Sequence, residues 1–115
     1  MLPNGMEIEI EGQVSVCKID MPEVTHLEMQ ELVDECMSIM RNDNIRNFVF
    51  DLSQVEFLAS SCIGALVSFL QDIEHVKGKI AIANCKENVS FLFKVTRLDS
   101  VFSIYDDLQD AIDAF

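Results

Sequence analysis

The stretch between residues 48 and 76 constrains the fold most. It opens with the apolar run from Phe48 to Phe50, which ends at Asp51. An uninterrupted apolar run of this kind favours a strand that is buried on both faces, as in a parallel sheet with helices on each side. A loop with two serines follows, and then apolar side chains recur at helical spacing between Cys62 and Val76. The stretch therefore predicts a strand, a loop and a helix of an α/β fold.

The two serines stand where the predicted helix begins, and their position allows two interpretations. Ser60 or Ser61 could cap the helix, because serine commonly accepts hydrogen bonds from the first free backbone N–H groups. Alternatively, a hydroxyl here could carry a phosphate, since free N–H groups and the positive end of the helix dipole favour an anion. A phosphate would add roughly −1.5 to −2 charge beside an apolar helix and could repel a partner.

The predicted central helix is apolar over a wide arc. At 100° per residue its apolar positions cover roughly 200°, more than the roughly 100° that a surface helix needs. One edge of the arc could be a docking surface beside the serines, or it could pack against a neighbouring helix. This edge comprises Cys62, Ala65, Phe69 and Val76. The thiol of Cys62 has a second interpretation, because a thiol in the first turn of a helix can have a lowered pKa and react with oxidants.

The remaining elements complete a mixed, mostly parallel sheet. Two alternating stretches at residues 6–11 and 14–19 predict an opening β-hairpin. Helical patterns follow at residues 24–40, 89–96 and 108–115, short strands are predicted at residues 80–83 and 98–104, and Thr25 with Glu28 suggests a capping box. With the central helix this makes about four helices and right-handed crossovers between parallel strands. Residues 1–5 are predicted to be a flexible leader and residues 6–115 a single domain.

Charge narrows the classes of partner. The 115 residues carry a formal net charge of −12, with only eight Lys and Arg residues. Nucleic acids and anionic membranes require clustered cations, so neither is an expected partner. Basic or apolar proteins are the expected partners instead. No apolar run reaches the roughly 18 residues of a membrane span and the N-terminus lacks a signal-peptide pattern, so we expect no membrane insertion and a cytoplasmic location.

The sequence offers no set of residues for catalysis, a metal or a cofactor. Its four cysteines are scattered, without a CxxC pair or a histidine at metal-ligand spacing. No phosphate-binding glycine loop is present, and no nucleophile, base and orienting residue can be assembled from neighbouring motif positions. We therefore expect a protein that is not an enzyme and that needs no cofactor.

Two segments of the chain resemble the STAS domain, which is best known in bacterial anti-sigma factor antagonists. The first is the central motif: Asp51-Leu52-Ser53, Val55, Phe57-Leu58, Ser60-Ser61 and Gly64-Ala65-Leu66. The second, from Phe93 to Ile112, is similar to the closing segment of the family. With the order of elements, the resemblance covers nearly the whole chain, from about Met6 to Phe115.

The resemblance implies a small α/β domain that regulates transcription by protein–protein binding. The family's loop serine is phosphorylated by an anti-sigma factor that is also a kinase, and a phosphatase removes the phosphate. Matched by position, the phosphoacceptor is Ser61, with Ser60 as second choice. The expected partner-binding residues are Ala59, Ser60, Ser61, Cys62, Ala65, Phe69 and Val76. Two positions depart from the family's pattern: Ala59 replaces the usual acidic residue, and Cys62 replaces the usual glycine, where its Cβ could hinder a kinase.

Other functions stay open beside the phosphorylation switch. A STAS domain could act as a scaffold that binds constitutively, for example as a subunit of a lipid-transport or stress-signalling assembly. It could also sense a nucleotide or another small molecule, although only the fold supports nucleotide binding. Association into a homodimer is a further open question.

Overall fold

The computed structural model describes residues 2–115. The strands are β1 (Met6–Glu11), β2 (Val14–Ile19), β3 (Glu23–Val24), β4 (Asn47–Asp51), β5 (Phe57–Leu58), β6 (Lys79–Ala83) and β7 (Ser103–Tyr105). The helices are α1 (His26–Asp43), α2 (Ser60–His75), α3 (Glu87–Val95) and α4 (Leu108–Asp113), and Leu98–Ser100 forms a short 3₁₀ turn. The predicted α/β class with four helices is confirmed.

Five of the strands form one sheet in the order β1-β2-β4-β6-β7. Strand β1 runs antiparallel to β2, and the other neighbours are parallel. The predicted opening hairpin and mostly parallel sheet are thus both confirmed. The hairpin turns at Gly12, whose φ of 63° lies in the left-handed region that favours glycine.

The central strand β4 is buried on both faces, as its apolar run predicts. Phe48 and Phe50 point into the larger core beneath α1, α2 and α3 and make edge-to-face contacts with Phe69 of α2, with ring centroids 5.1 and 6.2 Å apart. Val49 points to the opposite face, where Ala111 of α4 covers a smaller core. The sheet therefore lies between two layers of helix, and the ends of β4 and β5 lead towards α2.

The structure differs from the predictions in three details. The two-residue strands β3 and β5 pair with each other, although the sequence pattern predicts a loop at β5 and begins the first helix at Val24, the second residue of β3. The helical spacing of residues 24–40 predicts that Leu27 lies on the buried apolar stripe of α1, but Leu27 is 67% exposed. The predicted last strand begins only at Ser103, because residues 98–100 form a 3₁₀ turn.

Residues 2–5 precede the sheet and contact it. Leu2 packs against the larger core, and the Gly5 carbonyl accepts a hydrogen bond from the Asp20 backbone N–H. Gly5 has a φ of 92°, which suits glycine. The domain boundary at Met6 stays a prediction.

Candidate functional site

A short parallel ladder holds the beginnings of α1 and α2 side by side. Strand β3 pairs with β5, so that Val24 lies opposite Leu58. Beyond the ladder, the Ala59 N–H donates to the Val24 carbonyl over 3.1 Å. Each strand then leads directly into a helix, β3 into α1 and β5 into α2. The two helix N-termini therefore lie next to each other at the same part of the surface.

The two serines are the first two residues of α2 and both are exposed. The residue in the N-cap position is Ala59, and no side chain caps the helix. The interpretation of Ser60 or Ser61 as a helix cap is therefore wrong, because both residues already have helical positions. Without a capping side chain, the N-terminus of α2 keeps free donors near the Ser61 hydroxyl.

The N-terminus of α1 contacts the same serine. The His26 imidazole places Nδ1 3.3 Å from the Ser61 backbone carbonyl oxygen. Helix α1 is capped, unlike α2: the Thr25 hydroxyl accepts from the Glu28 N–H, and the Glu28 carboxylate accepts from the Thr25 N–H. The predicted capping box is confirmed. Ser61 is thus held between one capped and one uncapped helix terminus.

Cys62 is buried beneath the serines. Its thiol donates to the Val24 carbonyl over 3.4 Å, and its side chain has no exposed area. Burial raises the pKa of the Cys62 thiol, an effect that the hydrogen bond from the Ala59 backbone only partly opposes. The interpretation of Cys62 as a thiol of lowered pKa is therefore wrong. The extra Cβ at this position points into the core, so it does not obstruct the surface beside Ser61.

The docking edge that the sequence suggested on α2 is mostly buried. Ala65 is 5% exposed and Phe69 is not exposed at all, as is also true of Cys62, while Val76 is half-buried beyond the far end of the helix. The second interpretation of the wide apolar arc is the observed one, because α2 packs against α1 along this edge. Cys62, Ala65 and Phe69 therefore cannot provide a free docking surface.

The exposed face of the first half of α2 is instead made of small residues. Ser61, Gly64 and Ser68 are exposed and recur at intervals of three and four residues, so they share one face of the helix. A Cβ added at Gly64 would meet no heavy atom within 4 Å. We call Ser60, Ser61, Gly64 and Ser68 the serine surface. These four residues are grouped because they are exposed. Ser60, Ser61 and Gly64 belong to the sequence motif, whereas Ser68 lies outside the motif and was not predicted.

The site contains no metal-ligand set. Within residues 2–115, no three His, Cys, Asp or Glu side chains are grouped so that they could hold an ion. In the same residues, no helix combines the length and apolar character that crossing a membrane requires.

Comparison with known proteins places this site in a family. The STAS domain model matches residues 6–111. A Thermotoga neapolitana protein, provisionally named an anti-sigma factor antagonist, is 29% identical over 91 residues, which cover 79% of this chain and 77% of that protein. An anti-sigma factor antagonist (STAS) domain protein from Planctomyces limnophilus has a similar structure, with a TM-score of 0.82, 25% identity and 95% of each chain covered.

A third relative shares the fold at lower identity. The anti-sigma factor antagonist SpoIIAA in its unphosphorylated form matches with a TM-score of 0.84 and 16% identity, over 95% of this chain and 94% of that one. The phosphorylated form of the Bacillus SpoIIAA matches with a TM-score of 0.76 and 15% identity, over 95% and 97%. The family model covers nearly all of the sheet and helices described above, including the serine surface. This chain therefore belongs to the STAS domain family.

Proposed function

We propose that this chain is an anti-sigma factor antagonist whose binding is switched at Ser61. The unmodified chain binds an anti-sigma factor and so frees a sigma factor for transcription. Phosphorylation of Ser61 by that partner, acting as a kinase, releases the complex, and a phosphatase restores binding. The observation that carries the proposal is the exposed Ser61 hydroxyl in the uncapped first turn of α2.

The serine surface suits close contact with a partner. Its side chains are small, so a partner backbone can approach α2 without displacing bulky groups. Leu27 is the residue after His26, whose imidazole contacts the Ser61 carbonyl, and it is 67% exposed. Small polar residues and an exposed leucine at the adjacent helix N-termini offer a partner both hydrogen bonds and apolar burial, the usual mixture at a protein interface.

A phosphate at Ser61 would be tolerated by the domain but not by the interface. Free N–H groups and the helix dipole at the start of α2 favour a negative group locally. The added charge of roughly −1.5 to −2 would increase the negative charge of an already acidic protein and must lose its hydration when a partner covers it. Phosphorylation is therefore expected to leave the fold intact and weaken partner binding.

The names of similar proteins support the proposed partner and its setting. The Thermotoga neapolitana and Planctomyces limnophilus relatives are both named as anti-sigma factor antagonists. SpoIIAA has been solved in unphosphorylated and phosphorylated forms. In this proposal the chain acts in the bacterial cytoplasm by binding alone, and the kinase and phosphatase activities belong to its partners.

The direct test is the mass of the protein isolated from its own cells. We expect a fraction of it to carry an adduct of about 80 Da that phosphatase removes. Peptide mapping should place the adduct on Ser61. A Ser61→Ala variant should lose the adduct, whereas Ser60→Ala, the matched control one residue away, should keep it. An adduct on Ser60 alone, or none in any growth phase, would contradict the proposed switch.

A second function, constitutive binding, is favoured by one observation. Ala59 provides no carboxylate beside the acceptor, where the family pattern has an acidic residue. If a kinase needs that group, the chain would bind its partner without regulation. Ser61→Asp distinguishes the two functions, because it should weaken binding of the anti-sigma factor at least about tenfold in a switch and leave binding unchanged in a scaffold.

A further inference from the structure

An apolar groove lies between β5 and α3, outside the serine surface. It has a volume of about 480 Å³, and its lining includes the exposed side chains of Phe57, Phe91 and Val95. These side chains are 59%, 64% and 57% exposed. The buried Leu58 and Val89 also line the groove and connect it to the larger core. Three large apolar side chains exposed around one concave surface are typical of a binding site.

The charges at the groove are acidic. Glu56 and Glu87 line it, and no Lys or Arg does so. The chain as a whole carries a net charge of −12. A second copy of this chain would bring further negative charge to the groove and would be repelled. An occupant that combines apolar side chains with flanking Lys or Arg would satisfy both the apolar lining and the two carboxylates.

We propose that this groove binds an amphipathic basic helix of a partner protein. Apolar side chains on one face of the helix contact Phe57, Phe91 and Val95, and flanking cations face Glu56 and Glu87. A helix in an apolar groove is a common mode of recognition, with contacts at intervals of three and four residues. The inference rests on the proposed function, because Phe57 lies only three residues before Ser60 and one anti-sigma factor could cover both surfaces.

Two synthetic peptides of equal length provide the probe. One has leucine at helical spacing with lysine elsewhere, and the other replaces every lysine with glutamate. Titrated into the ¹⁵N-labelled full chain, the Leu/Lys peptide should shift the backbone amide signals of residues 57, 91 and 95 saturably. The Leu/Glu peptide should not bind. Equal binding of both peptides, or no saturable binding of the Leu/Lys peptide at the groove, would overturn the proposal.

Exposed residues allow variants that leave the fold intact. Phe91→Ala and Val95→Ala should each weaken binding of the Leu/Lys peptide, Phe91→Ala by at least about tenfold. Val101→Ala is the matched control, because Val101 is 54% exposed and lies outside the groove. It should leave the affinity unchanged. If the control weakens binding as much as Val95→Ala does, the groove is not the binding site.

A pair of charge variants separates local recognition from general attraction. Glu56→Lys with Glu87→Lys reverses the charge at the groove, and Glu31→Lys with Glu74→Lys makes the same change in net charge at exposed positions elsewhere. Only the first pair should weaken peptide binding by more than about twofold at equal salt. Equal loss in both pairs would show attraction to net charge alone and overturn the proposal.

Peptide binding at the groove can be tested separately from the proposed phosphorylation switch at Ser61. All peptide measurements use the chain with unmodified Ser61, so they do not depend on phosphorylation. Peptide binding without any phosphate at Ser61 in cells would support the groove and contradict the switch, whereas phosphorylation without peptide binding would do the reverse. Two results would identify another occupant of the groove and overturn the proposal. One is a dimer of this chain that Phe91→Ala dissociates, and the other is binding of the fatty acid decanoate, but not of the peptide, at the groove.

Discussion

The four cysteines differ in their burial, and burial controls their reactivity. Cys17, Cys36 and Cys62 are buried, and Cys85 is partly exposed. The Sγ atoms of Cys17 and Cys36 lie 3.5 Å apart, and this contact, together with burial, raises the pKa of Cys17. Burial raises the pKa of Cys85 to about 11. Because the thiolate is the reactive form, Cys17, Cys62 and Cys85 should be poor nucleophiles near neutral pH, and burial keeps reagents away from Cys36.

Cys85 should nevertheless be the first cysteine to react. With a pKa of about 11, roughly one Cys85 thiol in a thousand is ionised at pH 8. The fraction rises with pH, so alkylation by iodoacetamide should accelerate about tenfold per pH unit between pH 8 and pH 10. Peptide mapping of the native protein measures this, and urea-unfolded protein, in which all cysteines react, is the control. Labelling of Cys62 as fast as Cys85 would contradict the burial described for Cys62.

Two glycines should respond oppositely to the same substitution. At Gly64 an added Cβ meets nothing within 4 Å, so Gly64→Ala should stabilise α2 by about 0.5–1 kcal/mol. At Gly78 a Cβ would overlap the Arg46 carbonyl oxygen and lie 2.9 Å from Ile73 Cγ2. Gly78→Ala should therefore destabilise the domain by about 1–3 kcal/mol. Urea unfolding of both variants tests the pair, and a loss of stability in Gly64→Ala would show that its surroundings are tighter than described.

At the scale of the element, α1 and α2 begin side by side, but only the N-terminus of α1 is capped by a side chain. The capping box of Thr25 and Glu28 satisfies donors of α1. Ala59 leaves those of α2 without a side-chain partner. The stability of α2 therefore depends on its packing between the sheet and α1, where Phe69 and Ile73 are fully buried. The uncapped N-terminus of α2 lacks the stabilisation that a capping side chain provides. Its free N–H groups can instead interact with a negative group on the adjacent exposed serine, as the proposed modification requires.

Substitutions at the two cap positions should change stability in opposite directions. Thr25→Ala should lower the free energy of unfolding by about 0.5–2 kcal/mol, because it removes the hydroxyl that accepts from the Glu28 N–H. Thr25→Ser keeps the hydroxyl and is the control. Ala59→Asp should raise the free energy of unfolding by up to about 1 kcal/mol, since its carboxylate can accept from the free N–H groups of α2. Thermal and urea unfolding measure both effects.

A loss of stability in Ala59→Asp would contradict the prediction for α2. If the variant is less stable than the unmodified chain, the backbone around Ala59 cannot place a carboxylate over the first turn of α2. The capping argument would then fail for α2, while the Thr25 comparison would still test it for α1.

At the scale of the whole molecule, net charge dominates the electrostatics. The chain has 20 acidic and eight basic residues. Within residues 2–115 one ion pair between side chains is formed, Lys18 with Glu9 at 3.2 Å, and the two side chains are 36% and 49% exposed. Attraction within the fold is therefore weak compared with the general repulsion among carboxylates.

Salt should consequently stabilise this protein. Raising NaCl from about 0.05 M to about 0.5 M shortens the Debye length and screens the repulsion, so the melting temperature should rise. The Glu31→Lys, Glu74→Lys variant reduces the magnitude of the net charge and should show a smaller rise. A melting temperature that falls with NaCl would mean that attractive ion pairs outweigh the repulsion.

The sequence by itself determined the order and type of the main elements. Three patterns carried this information: the uninterrupted apolar run from Phe48 to Phe50, the alternation in the hairpin and the helical spacing in α2. Each pattern is typical of one kind of element, so it predicts the local structure. The motif around Ser60 and Ser61 also indicated the first turn of α2 as the candidate site. These features depend on neighbouring residues, so they can be read without knowing the partners of each element.

Tertiary structure decided which face of α2 is available and how the site is held. The apolar arc of α2 was wide enough to suit a partner or a neighbouring helix, and only its packing against α1 buried Ala65 and Phe69. The ladder between β3 and β5 was missed because two residues are too few to show a period. The contact of His26 with Ser61 spans 35 positions in the chain. Contacts between distant segments leave no local pattern, since they depend on how the complete fold brings those segments together.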